Sequence, residues 1–265
     1  MDGSGKIRKA FGKDRAALIP YLTAGFPTLE GAREVGEAYV EAGADIVEIG
    51  VPFSDPLADG PVIQGTTARA IEEGANLDYC LDLARGLSSR VPVVFLIYYN
   101  VIFSRGVGRF LEEAADAGVA GLVVPDLPVD EFGDFGGLAA ERGVAVCPLA
   151  APTSTDERLE KIGRVATGFV YCVSVAGVTG EREGLPEGAL ALVRRVKAKS
   201  GGAPVALGFG ISSAEAAAEA AAEADGVIIG SRLMRLVEEG GARVAGEWLR
   251  GVREALAPER TGAGD

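Results

Sequence analysis

EAGADIVEIG, residues Glu41 to Gly50, ends one element and begins another. The stretch leading into it, LEGAREVGEAYVEAGA from Leu29, is rich in alanine and glutamate, with apolar positions three and four apart. That is the period of a helix buried along one side. Gly43 is the residue type that closes such a helix. Ile46-Val47-Glu48-Ile49 is then apolar except for its glutamate, as a parallel strand covered on both faces reads. The same join returns at DAGVAGLVVPD from Asp116, ERGVAVCPLA from Glu141 and AEADGVIIGS from Ala222. One βα unit has been used repeatedly.

Working outward, eight apolar runs can be counted: ALIPYLTA from Ala17, DIVEIG from Asp45, PVVFLIYY from Pro92, AGLVVPD from Ala120, VAVCPLA from Val144, GFVYCVS from Gly168, PVALGFG from Pro204 and DGVIIGS from Asp225. Helical patterns such as SSAEAAAEAAAEA separate them, and no proline- or serine-rich linker interrupts the series. The expected fold is α/β, a single (β/α)8 TIM barrel over residues 1–257. It has an extra N-terminal helix and a short helix after the eighth run, and residues 258–265 form a disordered tail. A doubly wound open sheet is the rival. The count of eight disfavours it, and the first run is followed by TAGFPT rather than by GxGxxG.

A chain of 265 residues that is 48 % hydrophobic can bury a large core. Its net charge of −12 and pI near 4.7 argue against a nucleic-acid or anionic-membrane partner. Cys80, Cys147 and Cys172 show no metal-ligand spacing and read as reduced core thiols. With no signal-like segment and no run near the length that crosses a bilayer, the expected location is the cytoplasm. There is no histidine, which removes Ser-His-Asp and Cys-His systems and the usual zinc sites, so no metal is expected. All six lysines fall in the N-terminal segment or in outer helices, which disfavours a Schiff base. Carboxylates, tyrosines, backbone amides and helix N-termini remain.

Barrel enzymes carry their chemistry at the C-terminal ends of the strands. Glu48 interrupts the second run, and GVPFSDPLADGPVIQ after it carries Asp55 and Asp59. A charge in so apolar a run must be paired, for instance with a nearby arginine, or have a raised pKa and serve as a general acid/base. The two aspartates sit in Ser-Asp-Pro and Asp-Gly-Pro, which alone are turn formers. After the seventh and eighth runs, Gly208-Phe209-Gly210 and Gly230-Ser231 suit a phosphate held by backbone N–H groups.

EAGADIVEIGVPFSDPLADGPVIQ resembles the signature of the tryptophan synthase alpha subunit family. The likeness extends through PYLTAGFPT, LIYYNVIFSRG, VPDLPVDE, GVTG and GFGIS, in order over nearly the whole chain. It implies a lyase that splits indole-3-glycerol phosphate into indole and D-glyceraldehyde 3-phosphate in tryptophan biosynthesis. Glu48 matches the family's acid/base and Asp59 the residue that contacts the indole nitrogen. Gly177, Thr179 and Gly180 match the family's mobile loop and join Gly208, Phe209, Gly210, Gly230 and Ser231 around the phosphate. Tyr21, Tyr98, Leu149 and Tyr171 match the indole pocket, although core packing is their ordinary role. Pro52 and Asp55 match a face turned to a beta subunit in an αββα heterotetramer. Pyridoxal phosphate is expected only in that beta subunit, and no cofactor in this chain. Val175-Ala176 departs from the polar residues many members carry before GVTG. A stand-alone lyase and an inactive activating subunit are the alternatives; retention of both carboxylates argues against the second.

Overall fold

The computed structural model describes residues 1–12, 14–173, 185 and 188–256. Gly177, Thr179, Gly180, the Val175-Ala176 departure and the expected tail at 258–265 lie outside the described residues.

Nine strand segments are found among the described residues: β1 (Ala17–Thr23), β2 (Val47–Gly50), β3 (Val93–Leu96), β4 (Val119–Val123), β5 (Ala145–Val146), β6 (Leu149–Ala150), β7 (Val170–Cys172), β8 (Val205–Leu207) and β9 (Gly226–Ile229). They pair in parallel in the order β5-β4-β3-β2-β1-β9-β8-β7-β6. Both ends of that order belong to the single run VAVCPLA, so the sheet closes on itself as a barrel. The ninth segment arises because Pro148 has no N–H to donate and splits the fifth run in two. Cys147 N still donates to Leu122 O at 2.8 Å, towards β4, and Pro148 O accepts from Tyr171 N at 2.9 Å, towards β7. The expected (β/α)8 architecture therefore holds, with its fifth strand broken.

The helices are α1 (Gly3–Phe11), α2 (Leu29–Glu41), α3 (Pro61–Glu72), α4 (Leu77–Leu87), α5 (Tyr99–Arg105), α6 (Val107–Asp116), α7 (Phe132–Glu141), α8 (Asp156–Val165), α9 (Ala189–Lys199), α10 (Ala214–Ala221) and α11 (Ser231–Ala255). Side chains of Thr28, Asn76, Thr155 and Ser213 cap α2, α4, α8 and α10 by accepting N–H groups of the first turn. The third run is shorter than its sequence suggests. Its strand stops at Leu96, and Tyr99 already opens α5. The expected short helix after the eighth run is the first part of α11, which breaks at Gly240-Gly241 where Gly241 has φ 69°.

Strand alternation divides the core in two. Ala17, Ile19, Ile46, Val94, Phe169 and Ile228 fill the barrel, with Ile7 of α1 among them. Leu18, Leu22, Val47 and Ile49 face the outer helices. By the same alternation the side chain of Glu48, two residues after Ile46, points into the barrel.

Candidate active site

Near the C-terminal end of the barrel the inward positions are Tyr21 on β1, Glu48 on β2, Leu149 on β6 and Tyr171 on β7. Tyr21 is the register partner of Glu48, and Leu149 that of Tyr171. Both tyrosine rings need a neighbour without a side chain. A Cβ on Gly50 would lie 2.0 Å from the Tyr21 hydroxyl oxygen, and one on Gly208 would lie 2.1 Å from Tyr171 Cε1. Gly208 thus makes room for the Tyr171 ring, in addition to any role towards a ligand.

Glu48 is 1 % exposed, and neither carboxylate oxygen has a hydrogen-bond partner. The reading as an arginine-paired strand carboxylate therefore fails. Burial, and then the nearby Asp59 charge, push its pKa up to about 8. Asp59 lies on the loop between β2 and α3. Burial raises it to about 6, against the lowering effect of the Tyr98 hydroxyl beside it. At neutral pH one carboxyl therefore holds its proton and the other is ionised.

The loop is held from two sides. Leu57 N donates to Asp55 O at 2.8 Å and Asp59 N to Pro56 O at 3.0 Å, so the turn chemistry of this segment is real. Gln64 of α3 reaches back, its Nε2 donating to Asp59 O at 2.9 Å and to Pro56 O at 3.3 Å. Just beyond β3, the Tyr98 hydroxyl accepts from Ala58 N at 3.0 Å and its ring stacks on Phe53 with centroids 5.0 Å apart. Tyr98 is thus a wall of the loop as much as a candidate pocket residue. Gln64 and Phe53 were not singled out by sequence reasoning, although both stand inside the quoted GVPFSDPLADGPVIQ. Pro52 is half-buried and Asp55 exposed on this loop, Asp55 accepting from the Ser54 hydroxyl at 2.6 Å.

Gly208, Phe209 and Gly210 follow β8, half-buried, with Gly210 at φ 78°. Gly230 caps α11 without a side-chain hydrogen bond, and Ser231 is exposed in the first turn. The opening N–H groups of a helix have no acceptor within it and favour an anion.

A closed parallel barrel that gathers two interacting carboxyls, one on β2 and one on the loop after it, has the architecture of a barrel enzyme with its site at the C-terminal ends of the strands. The family model described as tryptophan synthase alpha chain matches residues 7–255. The tryptophan synthase alpha chain of Methanosarcina acetivorans is 45 % identical over 229 residues, covering 86 % of this chain and 83 % of that one. That of Dehalococcoides mccartyi is 41 % identical over 254 residues, covering 95 % and 99 %. Among solved structures, tryptophan synthase of Mycobacterium tuberculosis superposes with a TM-score of 0.88 at 36 % identity, over 96 % of this chain and 97 % of that one. The alpha chain of Legionella pneumophila gives a TM-score of 0.88 at 32 % identity, over 99 % and 100 %. The chain belongs to the tryptophan synthase alpha chain family. Its function is the alpha reaction of tryptophan biosynthesis, the lyase cleavage of indole-3-glycerol phosphate to indole and D-glyceraldehyde 3-phosphate.

Proposed function

We propose that Glu48 is the general acid/base of this cleavage and that Asp59 is its electrostatic partner at the indole nitrogen. The observation that carries the assignment is the Glu48 carboxyl, buried without a hydrogen-bond partner at the strand end where Asp59 also bears on it. Breaking the carbon–carbon bond requires an electron sink. Protonation of the ring carbon that bears the glycerol chain supplies one as an indolenine cation. Glu48, protonated near neutral pH, donates that proton. As a carboxylate it then takes the proton from the side-chain hydroxyl, and the aldehyde forms. Asp59, ionised, stabilises the charge growing at the ring N–H.

In this reading the phosphate rests on Gly208, Phe209, Gly210, Gly230 and Ser231, together with Gly177, Thr179 and Gly180, which follow β7 in sequence. Tyr21, Tyr98, Leu149 and Tyr171 enclose the indole ring. The chain itself needs no cofactor, since carboxylates perform every proton transfer. Pro52 and Asp55 face a beta subunit in an αββα heterotetramer. Three features of the loop and of α5 support such a face: Leu57 is 91 % exposed, Phe103 is 68 % exposed, and Phe53, Asn100 and Ser104 line a cleft of about 370 Å³. The cytoplasm is the proposed compartment, in keeping with three buried free thiols.

The test is indole release by wild type, Glu48→Gln and Asp59→Asn, with and without a beta subunit. A fall in kcat of about 10²-fold or more in each variant, with substrate binding retained, is expected. Turnover by Glu48→Gln at the wild-type rate would overturn the assignment.

A further inference from the structure

Tyr21 and Glu48 are register partners on adjacent strands, both pointing into the barrel, yet the Tyr21 hydroxyl makes no hydrogen bond to Glu48. It bonds instead to Thr23 Oγ1 at 3.2 Å. Thr23 Oγ1 bonds in turn to Thr66 Oγ1 of α3 at 2.8 Å, and Thr66 Oγ1 donates to the carbonyl of Ile63 at 2.9 Å. All three side chains are buried.

The direction of this chain follows from counting protons. A carbonyl can only accept, so the single hydroxyl proton of Thr66 is committed to Ile63 O. Thr66 then accepts from Thr23, and Thr23, its own proton spent, accepts from Tyr21. The phenol proton is directed away from the site. A donor aimed at a carboxylate stabilises the charged form, so a released Tyr21 proton would pull Glu48 towards ionisation.

We propose that Thr23 and Thr66 are positioning residues: by taking up the Tyr21 hydroxyl proton they withhold from Glu48 the donor that stands beside it, and so keep Glu48 a proton-bearing acid. The other titratable groups bearing on the pair are Asp59 from the loop after β2, Tyr98 beyond β3, Cys147 in the broken fifth strand and Tyr171 on β7. None of these is a cation, and the hydroxyl chain runs to α3, the helix whose Gln64 also holds the Asp59 loop. The inference rests on the acid/base reading of Glu48 for its consequence, though not for its geometry.

The test separates the two. In the ligand-free protein, Glu48 protonation is followed through its carboxyl C=O stretch by infrared difference against Glu48→Gln, while kcat/KM is measured across pH. Thr23→Val removes the acceptor and frees the phenol proton. The Glu48 titration, and the alkaline limb of kcat/KM with it, are expected to move down by about one pH unit. Thr23→Ser keeps the chain and should titrate as wild type. Tyr21→Phe has no proton to release, and Tyr21→Phe/Thr23→Val should match Tyr21→Phe without the downward shift. A Thr23→Val protein whose Glu48 titrates as in wild type, or a downward shift that persists in the double variant, overturns the proposal. Should the titration move as expected while Glu48→Gln still turns over, the acid/base reading fails and the hydroxyl chain stands.

Discussion

In the proposed role Glu48 couples the chemistry of the site to the stability of the fold. Burial lifts it from the ordinary 4.5 to about 8. Between those values the folded chain keeps a proton that the unfolded chain has released. The contribution of this group to stability is therefore full below about pH 4.5 and is lost as pH rises through about 8. Glu48→Gln has no such proton. Its melting temperature relative to wild type should rise between about pH 5 and about pH 9, and a gap that stays constant over this range would count against the buried, unpartnered carboxyl. Gly50 makes a separate prediction. Its Cβ would meet the Tyr21 hydroxyl oxygen at 2.0 Å, so Gly50→Ala must displace the ring or the strand. We expect a loss of about 1–3 kcal/mol in urea unfolding, together with a raised KM. Unchanged stability would mean that the ring has room the structure does not show. Glu48 was legible in sequence because a charge in an apolar run has few explanations. The need for glycine at 50 and 208 was not, because it comes from tyrosines on neighbouring strands.

Periodicity carried the elements well where the helix pattern is long, as in α2, which begins at the Leu29 that opens the quoted stretch. It overran where a strand passes straight into a helix. PVVFLIYY is apolar throughout, and nothing in its composition marks the end of β3 at Leu96 or the start of α5 at Tyr99. The loop between β2 and α3 shows the same limit: its turn residues were readable, but the clamp on them was not. Gln64 is five residues from Asp59, and only after α3 folds does its amide lie under two loop carbonyls. That geometry predicts a kinetic effect. Gln64→Leu removes both donors from an exposed position, so melting should shift by no more than about 3 °C. The Asp59 loop would lose its register, and kcat/KM should fall about 10- to 100-fold. Wild-type kinetics in a correctly folded Gln64→Leu would show that Tyr98 alone suffices to hold the loop.

Across the whole barrel the two buried carboxylates of the run DIVEIG, Asp45 to Gly50, are treated in opposite ways. At the C-terminal end Glu48 has no partner. At the other end, three residues earlier in sequence, Asp45 is buried with its side chain 1 % exposed, and its Oδ2 accepts from Arg15 at 2.8 Å, Arg253 at 2.8 Å and Leu18 N at 2.9 Å. These contacts join the segment before β1, Leu18 of β1, the residue two before β2 and the last turns of α11, at the barrel face opposite the site. Arg15 and Arg253 are only 24 % and 15 % exposed, so neither cation would be well solvated if the carboxylate were removed. Asp45→Asn keeps the shape and one acceptor but leaves both guanidiniums without their counter-charge, at an expected cost of about 3 kcal/mol. For a chain of this size that lowers the melting temperature by about 6–12 °C. Adding Arg253→Met removes one of the stranded cations and should recover part of the loss, because what destabilises is the unpaired charge more than the missing bond. Turnover per folded molecule at 25 °C should stay at the wild-type level in both variants, since the clasp touches no group at the strand ends that carry the chemistry. Loss of turnover in fully folded Asp45→Asn would show that the two ends of the run DIVEIG are coupled, and stability and catalysis could then no longer be assigned to opposite faces of the barrel.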